Sequence, residues 1–82
     1  MRNATDWIEG HLDFIRETDR YGLVVNGMWA RYGFHNGEAL EVMVDGEWVK
    51  TRMLRTKEVW YLEGTPYSGD LFKVDARVPV YH

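Results

Sequence analysis

The stretch EVMVDGEWVKTRM, residues 41–53, decides the fold of this chain. Two β-rich runs flank the pair Asp45-Gly46, with one run before the pair and the other after it. Asp-Gly suits the two-residue type I′ turn, in which both central residues need a positive φ. The stretch therefore predicts an antiparallel β-hairpin whose loop is Asp45-Gly46.

A two-residue loop fixes which residues of the hairpin face each other. One face is expected to be the core, and it carries the pairs Leu40–Thr51, Val42–Val49 and Val44–Glu47. The opposite face carries the pairs Met43–Trp48 and Glu41–Lys50. The first of these is a sulfur-to-ring contact and the second joins opposite charges. On this register Trp48 is predicted to be partly exposed.

Alternating apolar residues predict further strands on both sides of this hairpin. Leu12 and Phe14 precede the polar run 16–20, and alternation resumes at Tyr21, Leu23 and Val25, which predicts a second hairpin. The segment EVWYLEG, residues 58–64, predicts a strand with Trp60 and Leu62 on one face.

The segment LFKVDARVPV, residues 71–80, predicts the last strand. One face of this strand is expected to carry Phe72, Val74, Ala76 and Val78. Pro79 cannot donate a hydrogen bond to a neighbouring strand, so this strand is predicted to end there or to run along an edge.

Three segments are not predicted to be strands. Asp6 with Glu9 forms a capping pair that predicts a single helical turn over residues 6–9, ended by Gly10. Residues 28–32 are predicted to be a loop on which Trp29 and Arg31 do not pack in the core. The segment GTPYSGD, residues 64–70, either presents Tyr67 to a partner or caps the barrel.

Together these segments predict one domain over residues 1–82, with an N-terminal helical turn or arm over 1–9 and a β-barrel over 10–80. The fold class is mainly β, a small antiparallel SH3-like barrel of about five to six strands. The chain has 82 residues, of which 45% are hydrophobic and 15% aromatic, enough to pack a thin core.

Composition also narrows the function. The formal net charge of −3 argues against capture of DNA or RNA, which depends on phosphate neutralisation. The absence of cysteine excludes disulfides and cysteine-based sites. No signal-peptide core or membrane-length apolar stretch is visible, so the protein is expected to be soluble and cytoplasmic, with no membrane partner.

A set of motifs resembles a known family. The motifs are RYGLVV (20–25), GFHNGEALEV (33–42), DGEWVKTRM (45–53), WYLEGTPYSG (60–69) and ARV (76–78). In this order they resemble a family of short uncharacterised proteins of Firmicutes and related gut bacteria, classed as a domain of unknown function. The resemblance covers about residues 10–78 and implies an origin in a prophage or conjugative element, hence a bacterial host cell. Many members carry cysteine where this chain has Asn36, and no catalytic residues carry over.

Catalytic groups do not form a recognisable arrangement. His11, His35, Glu38 and Glu41 are the candidates, and none stands in a spacing typical of a metal site or a catalytic pair. The sequence therefore predicts no catalytic residue, no metal and no cofactor.

Aromatic and cationic residues favour a binding protein instead. Planar arginines can stack on a base or fork onto a phosphate. The predicted ligand-binding set is Trp29, Arg31, Tyr32, His35, Arg52, Trp60, Tyr67 and Arg77. The first hypothesis is a non-enzymatic mobile-element protein that sequesters a nucleotide-derived immune signal of the host, with pockets formed between copies in a homo-oligomer. The alternative interpretation of the same residues is that the rings fill the core and the arginines cover it.

A second hypothesis is an SH3-like protein-interaction module that modulates a host or phage protein. Its predicted patch is Met43, Trp48 and Tyr67, and the acidic balance of the chain favours a basic partner. A third hypothesis is a small hydrolase of signalling nucleotides, which the absence of a metal-ligand set disfavours.

Overall fold

The computed structural model describes residues 6–80, and these residues form seven strands and no helix. The strands are β1 (Asp6–Ile15), β2 (Arg20–Val25), β3 (Met28–Arg31), β4 (Glu38–Val44), β5 (Glu47–Arg55), β6 (Trp60–Leu62) and β7 (Asp75–Val80). They make one sheet in the order β3-β2-β1-β7-β4-β5-β6, and every neighbouring pair is antiparallel. The sheet curls into a half-barrel, which confirms the mainly β prediction.

The β4–β5 hairpin confirms the predicted register. Asp45 and Gly46 form the turn with φ values of 50° and 82°. The pairs run as predicted, with Met43 beside Trp48 on one side of the ladder. Trp48 is half-buried, as the register predicted.

The concave face of the curled sheet, called here the inner face, holds the core. Buried side chains come from six of the strands and from the loops before β4 and before β7. They are Leu12, Tyr21, Leu23, Phe34, Leu40, Val42, Met53, Trp60, Leu62, Leu71, Val74 and Ala76. The polar tips of the rings are bonded: the Trp60 Nε1–H donates to the Asp19 carbonyl at 2.8 Å, and the Tyr21 hydroxyl donates to the Gly69 carbonyl at 3.3 Å. Burial of these rings therefore leaves no polar atom without a partner.

The predicted helical turn over residues 6–9 is wrong. The chain is already a strand at Asp6, which pairs with Val80, and the ladder with β7 continues to His11. An isolated helical turn offers few hydrogen bonds, whereas pairing with β7 supplies a ladder over the whole segment. Gly10 does not end a helical turn, as had been predicted, but lies within β1. A Cβ on it would lie 2.0 Å from the Val24 carbonyl oxygen, so glycine permits the close approach of β2. Residues 1–5 of the predicted arm lie outside the described residues.

Residues 28–31 are a strand, which corrects the loop predicted over 28–32 and the count of five to six strands. Asn26 and Gly27 form a two-residue turn with φ values of 52° and 77°. The pairing of β3 with β2 shifts register between Leu23 and Val24, leaving Ala30 as the extra residue of a β-bulge. As a result β3 is a short, bent edge strand.

The last strand begins at Asp75, later than predicted. Lys73 has a φ of 65°, so residues 71–74 turn instead of extending. Phe72 is 50% exposed, which corrects its predicted place on the inner face beside Val74. Pro79 pairs with Trp7 of β1, and the pairing of β7 with β4 covers only Ala76 and Arg77. At Pro79 the strand therefore runs along an edge, as predicted.

Candidate functional site

The convex face of the sheet, called here the outer face, carries an open groove. Two cross-strand pairs build it, because β7 lies between β1 and β4 and brings them side by side. His11 of β1 faces Asp75 of β7, and Met43 of β4 faces Trp48 of β5. The groove has a volume of about 390 Å³ and is lined by Glu9, Gly10, His11, Met43, Trp48 and Asp75. We call it the outer groove.

A stack of two tryptophans and one arginine lies beside the outer groove. The Arg77 guanidinium carbon lies 4.0 Å from the Trp7 ring centroid and 4.4 Å from the Trp48 ring centroid. Arg77 also donates from Nε and Nη2 to Glu41 Oε1, at 3.0 and 2.7 Å. Two cation–π contacts and two hydrogen bonds to a carboxylate satisfy this guanidinium. The stack thereby fixes the orientation of Trp48.

The outer groove is acidic. Glu9 forms a long ion pair with Arg77, since Glu9 Oε1 lies 3.7 Å from Arg77 Nη1. The Asp75 side chain is exposed and makes no hydrogen bond or ion pair with another residue in the range 6–80. An unpaired carboxylate therefore stands beside the half-buried Trp48 ring and the Met43 thioether.

Four of the predicted ligand-binding residues meet at one corner of the sheet. The Trp29 and Tyr32 rings contact edge to face, with centroids 5.5 Å apart and planes at 89°. Trp29 is 41% exposed and Tyr32 is 56% exposed. Arg31 is engaged, since its guanidinium pairs with Glu38 and lies 5.4 Å from the Phe34 ring centroid. The backbone N–H of His35, the fourth residue, donates to the same Glu38 carboxylate at 3.0 Å.

The remaining predicted ligand-binding residues lie elsewhere. Trp60 is in the core, and Arg77 belongs to the outer stack. Arg52 donates to the Gly37 carbonyl at 2.9 Å. The Tyr67 hydroxyl donates to the Met43 carbonyl at 2.7 Å, and its ring packs against the core. The eight residues thus occupy both faces of the sheet and do not line one pocket.

The predicted interaction patch is partly assembled. Met43 and Trp48 line the outer groove together, whereas Tyr67 packs against the core. The sequence interpretation missed Glu9 and Asp75, whose meeting depends on the pairing of β1 with β7. Period-two alternation places Asp75 opposite in direction to Ala76, but alternation does not say which strand lies beside it.

Two kinds of feature are absent from the described residues. Within residues 6–80, no group of three or more His, Asp or Glu residues stands close enough to hold a metal ion. The same range contains no helix with the length and apolar content needed to cross a bilayer.

These features define a small all-β protein with a closed apolar inner face and an outer face that carries an acidic, aromatic groove. The chain belongs to the family described as domain of unknown function DUF5348, whose model matches residues 10–78. The match runs from within β1 into β7 and so spans both faces of the sheet. No curated protein and no solved structure matches the chain. The predicted resemblance is confirmed at the level of the family.

Proposed function

We propose that this protein is a protein-interaction module whose docking surface is the outer groove. The observation that carries the proposal is the half-buried Trp48, held in place by Arg77 and set beside Met43 in an open depression. Small-molecule sites enclose most of their ligand, whereas an open groove presents its lining to a partner surface. Aromatic anchors of this kind dominate the energetics of protein interfaces.

The rigidity of the outer face supports the proposal. Trp48 is fixed by its stack on Arg77 and by its place in the β5 ladder, so little side-chain freedom is lost when a partner binds. We propose further that the half-barrel is SH3-like and that the protein comes from a phage or conjugative element. Its partner is then a host or phage protein in the bacterial cytoplasm.

Site-specific photo-crosslinking in the host cell tests this function. A photoreactive phenylalanine at Met43 should crosslink one defined protein, because this position lines the outer groove. The same residue at Val59, which is 37% exposed and lies in the loop before β6, is the matched control. The purified partner should then bind the native chain and lose affinity for Trp48→Ala. Identical crosslinks from both positions, or none from Met43, would contradict the proposal.

A second candidate function is sequestration of a nucleotide-derived signal. The exposed Trp29–Tyr32 corner favours it, because two rings with free surface can hold a base. Such a corner gains an enclosed pocket when two copies of the chain face each other, so this function includes a homo-oligomer.

Release analysis tests sequestration. The protein is incubated with cyclic nucleotides and cyclic ADP-ribose isomers, washed and denatured, and the released compounds are analysed. Intact ligand that is lost in Trp29→Ala supports sequestration, and altered ligand supports a hydrolase instead. Retention of no compound, or a strictly monomeric mass in solution, contradicts this second candidate.

A further inference from the structure

We infer that the outer groove receives a long cationic side chain, lysine or arginine, from the partner protein. This inference rests on the proposed docking function and specifies the chemistry of the group that enters the groove. It follows from three properties of the groove: its charge, its aromatic and thioether lining, and its openness.

The negative charge of the groove favours a cation. The lining of the groove carries two carboxylates, those of Glu9 and Asp75, and no lysine or arginine. Arg77 is already matched by Glu41, so it offers little positive charge to an incoming anion. Phosphates and carboxylates of a partner would be repelled, whereas an ammonium or guanidinium would gain charge-assisted hydrogen bonds to Asp75.

The lining selects a cation at the end of an apolar stem. Trp48 lies 4.4 Å from the Arg77 guanidinium carbon and is still only half-buried, so its remaining ring surface can contact a second cation. Met43 lies directly beside Trp48 in the ladder and offers a flexible apolar surface. A lysine or arginine side chain can lay its methylene groups on Met43 while its charged end reaches Asp75.

The openness of the groove favours a side chain over a free ion. A bare metal ion would need several protein ligands, and residues 6–80 hold no cluster of three. A partner's side chain needs fewer contacts at its charged end, because its stem and the neighbouring partner surface contribute to binding as well.

Nuclear magnetic resonance titration of the full chain tests the inference. The probes are Nα-acetyl-lysine amide and Nα-acetyl-arginine amide, and the controls are the neutral norleucine and anionic glutamate analogues. The cationic probes should shift the Trp48 indole N–H and the Gly10 backbone amide, and the larger of the two responses identifies the preferred side chain. Added salt should weaken this binding. Shifts of equal size with norleucine would overturn the inference.

Asp75→Asn supplies the specific loss, and Asp70→Asn is its matched control. Both exposed positions lose one negative charge, and asparagine at position 70 keeps an oxygen that can accept the Phe72 N–H. Asp75→Asn should raise the dissociation constant of the cationic probes by about threefold, with Asp70→Asn unchanged. Amide spectra of both variants confirm that each is folded. Equal effects of the two substitutions would assign the binding to net charge and overturn the inference.

The two proposals fail separately. If a partner crosslinks at Met43 but neither cationic amide shifts Trp48, docking stands and the cationic side chain is excluded. If the amides bind and no protein crosslinks, the chemistry of the groove stands and docking in the cell is excluded.

Discussion

The two faces of the sheet differ in how completely their side chains are satisfied. On the inner face Phe34 and Val42 are both 0% exposed, and neighbouring apolar residues surround them. On the outer face the large residues Trp7 and Trp48 stay half-buried, although their strands, β1 and β5, also carry the fully buried Leu12 and Met53. Alternation along a strand sends successive side chains to opposite faces, so one strand serves both. Burial makes the inner face the main source of stability, whereas the outer face keeps exposed surface.

The outer face itself contains one part whose charged side chains are paired and one part with an unpaired carboxylate. Arg77 meets two rings and a carboxylate, and its side chain is 19% exposed. The side chain of Asp75, two residues earlier, makes no hydrogen bond or ion pair within residues 6–80. The stack therefore contributes to folding, whereas the groove beside it keeps an exposed carboxylate.

The largest effect is expected from the inner face. Phe34→Ala removes a fully buried ring and should lower the free energy of unfolding by about 3–5 kcal/mol. Phe34→Leu retains most of the apolar volume and should cost clearly less. Urea denaturation followed by circular dichroism measures both values. A loss smaller than that of any outer-face variant would break the distinction between the faces.

Arg77→Ala tests the stack on the outer face. It leaves the Glu41 carboxylate without its partner, with 12% of that side chain exposed, and removes two ring contacts. The expected loss is about 2–4 kcal/mol, since a broken buried ion pair leaves an uncompensated charge. Arg77→Lys keeps the charge but not the planar stacking, and should lose less. The measurement is again urea denaturation, with tryptophan fluorescence reporting release of the stack. Equal stability of the alanine variant and the native chain would show that the stack does not contribute to the free energy of unfolding.

Gly22→Ala tests the junction between β2 and β3. A Cβ at position 22 would lie 2.4 Å from the Arg31 carbonyl oxygen and 2.9 Å from Trp29 Cζ3. Since the oxygen belongs to the backbone, β3 must shift, and the expected loss is about 1–3 kcal/mol. Gly27→Asn is the matched control, because position 27 has open space around it and a positive φ that asparagine tolerates. The thermal midpoints of the two variants should differ, and equal midpoints would contradict the close approach.

Two turns of the same chemistry show how far the sequence predicts the fold. Asp45-Gly46 lies between long alternating runs, so the register of β4 and β5 was predictable residue by residue. Asn26-Gly27 is an equally good turn, yet β3 was predicted to be a loop. Residues 28–30 are all exposed and a bulge interrupts the pairing, so β3 shows no alternation that would reveal it.

The candidate site was predictable to the same degree. Met43 and Trp48 follow from one local turn and were placed together in advance. Glu9 and Asp75 come from opposite ends of the chain, and only the pairing of β1 with β7 brings them to the groove. Trp7 was missed for a related reason, because a helical turn was predicted where the ladder with β7 forms. Long-range strand pairing carries no sequence signal of its own in a single chain.

The smallest effect is expected for Trp29→Ala on the exposed corner. The ring is 41% exposed, contacts Tyr32 edge to face and lies over Gly22, so its removal should cost about 1 kcal/mol. Trp29→Phe keeps a ring at this place and should cost less. Urea denaturation measures both. A loss above about 2 kcal/mol would assign Trp29 to stability and remove the basis for ligand sequestration at this corner.

The double variant Gly22→Ala with Trp29→Ala sharpens this last prediction. A Cβ at position 22 meets both the Trp29 ring and the Arg31 carbonyl oxygen, and only the ring contact disappears when Trp29 is truncated. The two substitutions should therefore cost less together than the sum of their separate losses, by about 0.5 kcal/mol or more, since contacting residues are coupled. The Arg31 carbonyl still opposes the new methyl group, so the double variant should stay less stable than Trp29→Ala alone. Strict additivity would mean that the ring does not lie over position 22, and the corner would then be free to rearrange around a ligand.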